Sequence, residues 1–184
     1  MMLTASDENS AGDKSEADKG RVAGRGLRIR VAQEAEEVVK ILPLGREFHD
    51  KSIYSDITFS EDKCRRLFAD AVSHPNRSAV LMAELHGRTL GFLYCSAGEY
   101  LFGEGTAMTT VHVFYVSDEV RGTLLVGRVG LGLIKAAELW SQHRGCKRLL
   151  VHDTASTVRD RRLYSILGKV GYEVLGLNVS KLLF

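Results

Sequence analysis

The sequence predicts a single α/β domain, and three observations predict it. Short runs of β-branched and aromatic residues alternate as strands do. Longer segments repeat apolar residues every three or four positions, as amphipathic helices do. The two kinds interleave along one chain of 184 residues, long enough for a single substantial core. The composition, 45% hydrophobic and 26% charged with 18 glycines and 2 prolines, is ordinary for a globular protein.

Residues 1–26 are rich in Ser, Asp, Glu, Lys, Gly and Ala, and they carry too little apolar surface to offset the entropy of ordering. They read as a disordered tail, either an inert extension or a regulatory segment. Leu27–Val31 alternates as a first strand. From Gln33 to about Leu42 the spacing of Ala35, Val38, Val39 and Leu42 predicts a short helix, which Pro43 and Gly45 end or break. Arg46–Tyr54 reads as a helical turn running into a loop, with Phe48, His49 and Tyr54 either offered to a cleft or simply packed. Ser60 followed by Glu61 and Asp62 is a helix start, and His74-Pro75-Asn76 is the stop. Ser78–Leu85 and Thr89–Ser96 are two strands joined by His86-Gly87-Arg88, a hairpin signal.

The chain is organised around Ala107–Trp140. It opens as a strand, in which Val111, Val113 and Tyr115 alternate with Thr110, His112, Phe114 and Val116. It closes as a helix with Val126, Val129, Leu133, Ala137 and Trp140 on one side. Between them lie Arg121-Gly122, and then Gly127, Gly130 and Gly132 crowd what the pattern makes the first helical turn. Glycine disfavours helix by roughly 1 kcal/mol against alanine, so the cluster implies a close approach to the backbone. Either the helix packs tightly there, or its free N–H groups and positive dipole end hold an anion such as phosphate. Lys147–His152 is a further strand, Thr157–Val170 a helix, and Tyr172–Val179 a last strand.

Charge and cysteines narrow the functional classes. A formal charge of +2, with acids and bases interspersed, argues against nucleic acid. Cys64, Cys95 and Cys146 are widely spaced and lack a CxxC pair, which fits free thiols in a reducing compartment and argues against a disulfide framework or a zinc site. No apolar run reaches the roughly 20 residues of a membrane span, and the N-terminus lacks an apolar signal core. A cytoplasmic location is the expectation.

From Leu27 to Phe184 the order of elements, the strand–Arg121-Gly122–glycine-rich turn–helix unit, and the terminal Leu163-Tyr164 with Gly171-Tyr172-Glu173 resemble the GNAT superfamily of acyl-CoA-dependent N-acetyltransferases. FYVSDEVRG is similar to that family's strand end and turn, and LIKAAELW to its helix. The resemblance implies a twisted central sheet, mixed but mostly antiparallel, flanked by helices. It also implies acetyl-CoA as cosubstrate and a primary amine as acceptor, attacking directly in a ternary complex; the sequence shows no obvious activated cysteine. A backbone N–H among Phe114, Tyr115 and Val116 would polarise the thioester. Arg121, Gly122, Gly127, Arg128, Val129 and Gly130 would hold the pyrophosphate, anchored on LIKAAELW, with a loop about four residues longer than usual (Thr123–Val126).

For proton transfer, the resemblance points to Tyr164 as general acid, set against a tyrosine that merely anchors the last helix. Gly171-Tyr172 offers a second register for the family's glycine–aromatic pair, and that register puts Leu167 in the acid's place. His112 stands where many relatives carry a base, set against a satisfied structural histidine. Glu99 and Glu104 are runner-up bases, set against solvated loop charges, and His152 and Asp153 at the end of the next strand would line the same cleft. The spacing Gly-x-x-Gly-x-Gly reverses the dinucleotide fingerprint, and no Gly-Lys-Ser/Thr is present for a P-loop. The rival reading is a catalytically degenerate GNAT-like module that binds CoA or a protein partner. A small-molecule amine is the expected acceptor, no nucleic acid or membrane partner is expected, and a homodimer is left open.

Overall fold

The computed structural model describes residues 26–152 and 161–175, with the side chains of 161–164 outside the description. Five strands, β1 (Arg28–Val31), β2 (Ser78–Leu85), β3 (Arg88–Glu99), β4 (Ala107–Val116) and β5 (Arg148–Val151), form one sheet in chain order. The first three pairings are antiparallel and β4–β5 is parallel, so the sheet is mixed and mostly antiparallel, as expected. Helices α1 (Leu42–Lys51) and α2 (Glu61–Ser73) pack on one face. Helix α3 (Leu124–Gln142) packs on the other, together with Leu167 of α4 (Arg161–Lys169). Val129, Leu133, Ile134, Ala137 and Trp140 are buried beneath α3, and each fully buried large aliphatic there contributes about 1.5–3 kcal/mol.

Four expectations about elements need correction. Pro43 does not end a helix: it sits in the first turn of α1, where a missing N–H costs nothing. The segment before it, Ala35–Lys40, is only a 3-10 helix, and Val39 is exposed rather than inward. Arg46–Lys51 is regular helix, the C-terminal part of α1. Tyr172–Leu175 takes no strand conformation, and the rest of the expected last strand lies outside the described residues. So do residues 1–25, most of the expected tail, and Thr157–Asp160 of the last helix.

The strand alternation fails at one place in β4. Tyr94 pairs with Val113 but Cys95 pairs with Val111, which leaves His112 as an extra residue opposite no partner. Such a bulge shifts the side-chain phase by one. Val111 therefore belongs to the core under α3, whereas Val113 and Tyr115 belong to the core under α1 and α2.

Candidate active site

The bulge coincides with the point where the sheet opens. β4 pairs with β5 only from Met108 to Val111, and the last bond across that edge is from the His152 N–H to the Val111 carbonyl, 3.1 Å. Beyond it, no described strand pairs with this side of β4. The Ser117 N–H bonds to the Leu90 carbonyl at 2.8 Å, so position 117 faces β3. By alternation, the amides of Phe114 and Val116 point off the open edge and that of Tyr115 points into the sheet. The side chains of Phe114 and Val116 pack toward α3. The Tyr115 phenol turns the other way, accepting from Lys51 Nζ at 3.1 Å.

At the end of this edge the chain turns through a 3-10 segment, Asp118–Val120, into α3. Gly122 has φ +76°, a left-handed conformation that glycine adopts without strain. Thr123 is the N-cap: its Oγ1 accepts from the Leu125 N–H at 3.2 Å. The helix thus starts at Leu124, and the supposed longer loop Thr123–Val126 is its cap and first turn. Only the amides before the fifth position of a capped helix lack an intrahelical carbonyl. Arg128, Val129 and Gly130 lie past that limit, so their amides are committed within α3, as is that of Gly127. The outward-facing donors are Leu124 and Val126, for which no partner occurs among the described residues.

The later glycines serve packing. A Cβ at Gly132 would come 3.0 Å from Ile29 Cγ1, and one at Gly130 would touch the Phe114 ring at 3.4 Å. At Gly127 a Cβ would meet nothing within 4 Å. Composition drew attention to the glycines, whereas the sequence signal for the helix start was Thr123, a capping residue placed just before the apolar repeat.

His112 is an exposed side chain on the α1/α2 side of the bulge. Its Nε2 lies 2.7 Å from Ser96 Oγ, and its ring lies 5.4 Å from that of Tyr94. Partial burial, and then the nearby His152, hold its pKa below the ordinary histidine value. The imidazole is therefore neutral at neutral pH and able to take a proton. Ser96 also lines a depression of about 220 Å³ with Glu99, Tyr100, Met108 and Thr110, so the histidine stands beside a concave surface. Glu104 is exposed in the neighbouring loop.

The remaining candidates disperse. Phe48 packs edge-on to Tyr115 at 5.9 Å, His49 Nε2 holds the Ile57 carbonyl at 2.6 Å, and Tyr54 is exposed. Tyr164 lies in the first turn of α4, with its side chain outside the described residues, and Asp153 lies outside them altogether. The α4 helix ends at Gly171: the Gly171 N–H reaches the Gly168 carbonyl at 3.2 Å, and the Tyr172 N–H reaches that of Leu167 at 3.0 Å. Gly171 and Tyr172 thus stand at the helix end, and Leu167, four residues before Gly171, is buried against α3. The Tyr172 hydroxyl donates to Glu138 at 2.9 Å, fixing α4 to α3.

The split parallel pair, the bulge and the capped helix behind it define the fold of the GNAT superfamily. No family model matches the sequence, and no curated protein sequence matches it. Solved structures share the fold. A ribosomal-protein-alanine N-acetyltransferase from Brucella melitensis biovar Abortus 2308 superposes with a TM-score of 0.64 at 16% identity, covering 87% of this chain and 100% of its own. AAC(6')-Iy, solved with a bisubstrate analogue, CoA-S-monomethyl-acetylneamine, gives 0.65 at 13% identity, covering 84% and 96%. Glucosamine-6-phosphate N-acetyltransferase from Arabidopsis thaliana gives 0.63 at 14% identity, covering 87% and 100%. Among the described residues no helix is long and apolar enough to cross a membrane.

Proposed function

We propose that the chain is an N-acyltransferase that moves an acetyl group from acetyl-CoA to the primary amine of a small molecule. The observation that carries this reading is the succession of two donor sets, one on the open edge of β4 and one at the start of the helix that follows it. The unpaired edge of β4 offers the Phe114 and Val116 amides, and the start of α3 just beyond it offers those of Leu124 and Val126. An extended arm can add to the first set as a strand does, while a diphosphate sits on the second with Arg121 and Gly122 beside it. Leu124, 78% exposed, and Val126 stand where the glycines of an Arg-Gly-x-Gly-x-Gly turn would be, which narrows the approach without removing the amides.

Acetyl-CoA, when bound, supplies an activated thioester carbonyl. The chain's part is to polarise and to move protons. The Phe114 or Val116 N–H stabilises negative charge on the carbonyl oxygen. The neutral His112, paired with Ser96, takes the proton that the attacking amine releases. The sequence's candidate for protonating the departing sulfur is Tyr164, for which an unperturbed pKa near 10 is suitable. Direct attack fits two of the three cysteines: burial pushes the Cys95 thiol up to about 12 and also raises that of Cys64, which disfavours either as a thiolate nucleophile.

One observation favours a second reading, a GNAT-fold module that binds CoA without turning it over. Buried Leu167 occupies the position four residues before the glycine, so that register holds no acid. Calorimetric titration with acetyl-CoA, followed by thiol release over a panel of primary amines, tests both. Saturable binding with amine-dependent CoA release supports the enzyme, and binding without release supports the module. Absence of CoA binding by folded protein would falsify both.

A further inference from the structure

We infer that Lys51, the last residue of α1, is a positioning residue for the donor turn: it ties back Asp118, whose carboxylate would otherwise compete with a diphosphate for the start of α3. The inference rests on the donor site proposed above. Lys51 Nζ donates to Glu47 Oε1 at 3.0 Å, to the Tyr115 phenol oxygen at 3.1 Å and, at short range, to the Asp118 carboxylate. Glu47 Oε1 also accepts the Asp118 N–H at 3.4 Å, and Arg121 pairs with the other Asp118 oxygen. Four charged groups from two distant segments thus meet at the junction of β4 and α3.

Placement makes the arrangement consequential. Asp118 opens the 3-10 turn that leads through Arg121 and Gly122 to the Thr123 cap. A carboxylate there is drawn to the same helix end, and to the same arginine, that a phosphate needs. Among these four described groups two cations balance two carboxylates, and losing Lys51 leaves one of these carboxylates in excess beside the anion site. The titration directions agree. Burial opposes the Lys51 ammonium, but its bonds to Asp118, Tyr115 and Glu47 together outweigh burial and raise its pKa. The bond from Lys51 is the largest influence holding the Asp118 carboxyl below its usual range.

The test compares two donors, acetyl-CoA and acetyl-pantetheine, which lacks the diphosphate and nucleotide. Dissociation constants by calorimetry and KM values are measured for the wild type, Lys51→Met, Asp118→Asn and the double variant. Lys51→Met is expected to weaken acetyl-CoA roughly fivefold, the effect of one unbalanced charge at a helix N-terminus, and to spare acetyl-pantetheine. Adding Asp118→Asn should restore acetyl-CoA binding, because it removes the competing charge and leaves Lys51 absent. Equal weakening of both donors, or no rescue by Asp118→Asn, would overturn the inference by making Lys51 a packing residue of α1. A wild type that binds acetyl-CoA and a Lys51→Met that binds it equally well would overturn this inference alone. A wild type that binds neither donor would overturn the donor site and this inference with it.

Discussion

The first turn of α3 and the turns that follow carry similar-looking sequence and do opposite work. Arg121–Val126 holds one glycine and three bulky aliphatic residues in its last three positions, yet it presents the amides without an intrahelical partner. Gly127–Gly132 holds three glycines, yet its amides are committed within the helix, and two of the glycines only make room for Phe114 and Ile29. Glycine thus marks where the backbone is approached, but not by what. An anion site depends on which N–H groups lack a carbonyl partner, and that depends on where the helix begins.

Substitutions can separate the two segments. The largest effect is expected at Gly132, where even a Cβ would stand 3.0 Å from Ile29. Gly132→Leu should cost about 1–3 kcal/mol by overpacking, read as a fall in thermal midpoint. Acetyl-CoA affinity measured below the transition should not change. A variant that folds normally but loses the donor would show that a ligand, and not Ile29, approaches this glycine.

Thr123→Ala should act on the other segment. It removes the Oγ1 contact to the Leu125 N–H at 3.2 Å and the hydroxyl bond to the Val120 carbonyl at 2.6 Å. The expected loss is about 1 kcal/mol, the usual value of an N-cap. Here stability and acetyl-CoA affinity should fall together, because a frayed first turn no longer aims the Leu124 and Val126 amides. Unchanged affinity would move the diphosphate away from this turn. Gly127→Ala is the milder counterpart, with open space around the new methyl group. It should stabilise the helix by up to about 1 kcal/mol and leave affinity intact; reduced affinity would return the donor to the second turn.

Much of this architecture was legible because it is written locally. Ser60 caps α2 through the Lys63 N–H, the His86-Gly87 turn joins β2 to β3, and α3 buries the stripe read from Val129 to Trp140. Pro43 is ambiguous in the sequence because proline is compatible with a helix start as well as a helix end, and only the next turn, Gly45 to Lys51, distinguishes them. The bulge at His112 was not legible at all. It is a mismatch in register between β3 and β4, and nothing in either strand's own alternation announces it. The Lys51–Asp118 pair was hidden for the same reason, since its partners stand 67 residues apart.

The smallest effect, and one that bears on the open edge directly, is pH dependence at His112. Its pKa is lowered in the folded protein by burial and by His152, with Tyr94 and Ser96 also against the ring. An unfolded histidine titrates at about 6.5. Between the two values the unfolded chain binds the proton and the folded one does not, so stability rises with pH across that window. The contribution is present above the unfolded value and is lost as pH falls through the folded one. If His112 is the base, the acid limb of the rate profile at saturating donor falls in the same depressed window, below the ordinary histidine range. His112→Gln should then remove both the stability slope and that limb. Loss of the slope with the acid limb retained would leave His112 a structural residue of the bulge and transfer the base to another group, with the Glu99 side of the depression the next place to test.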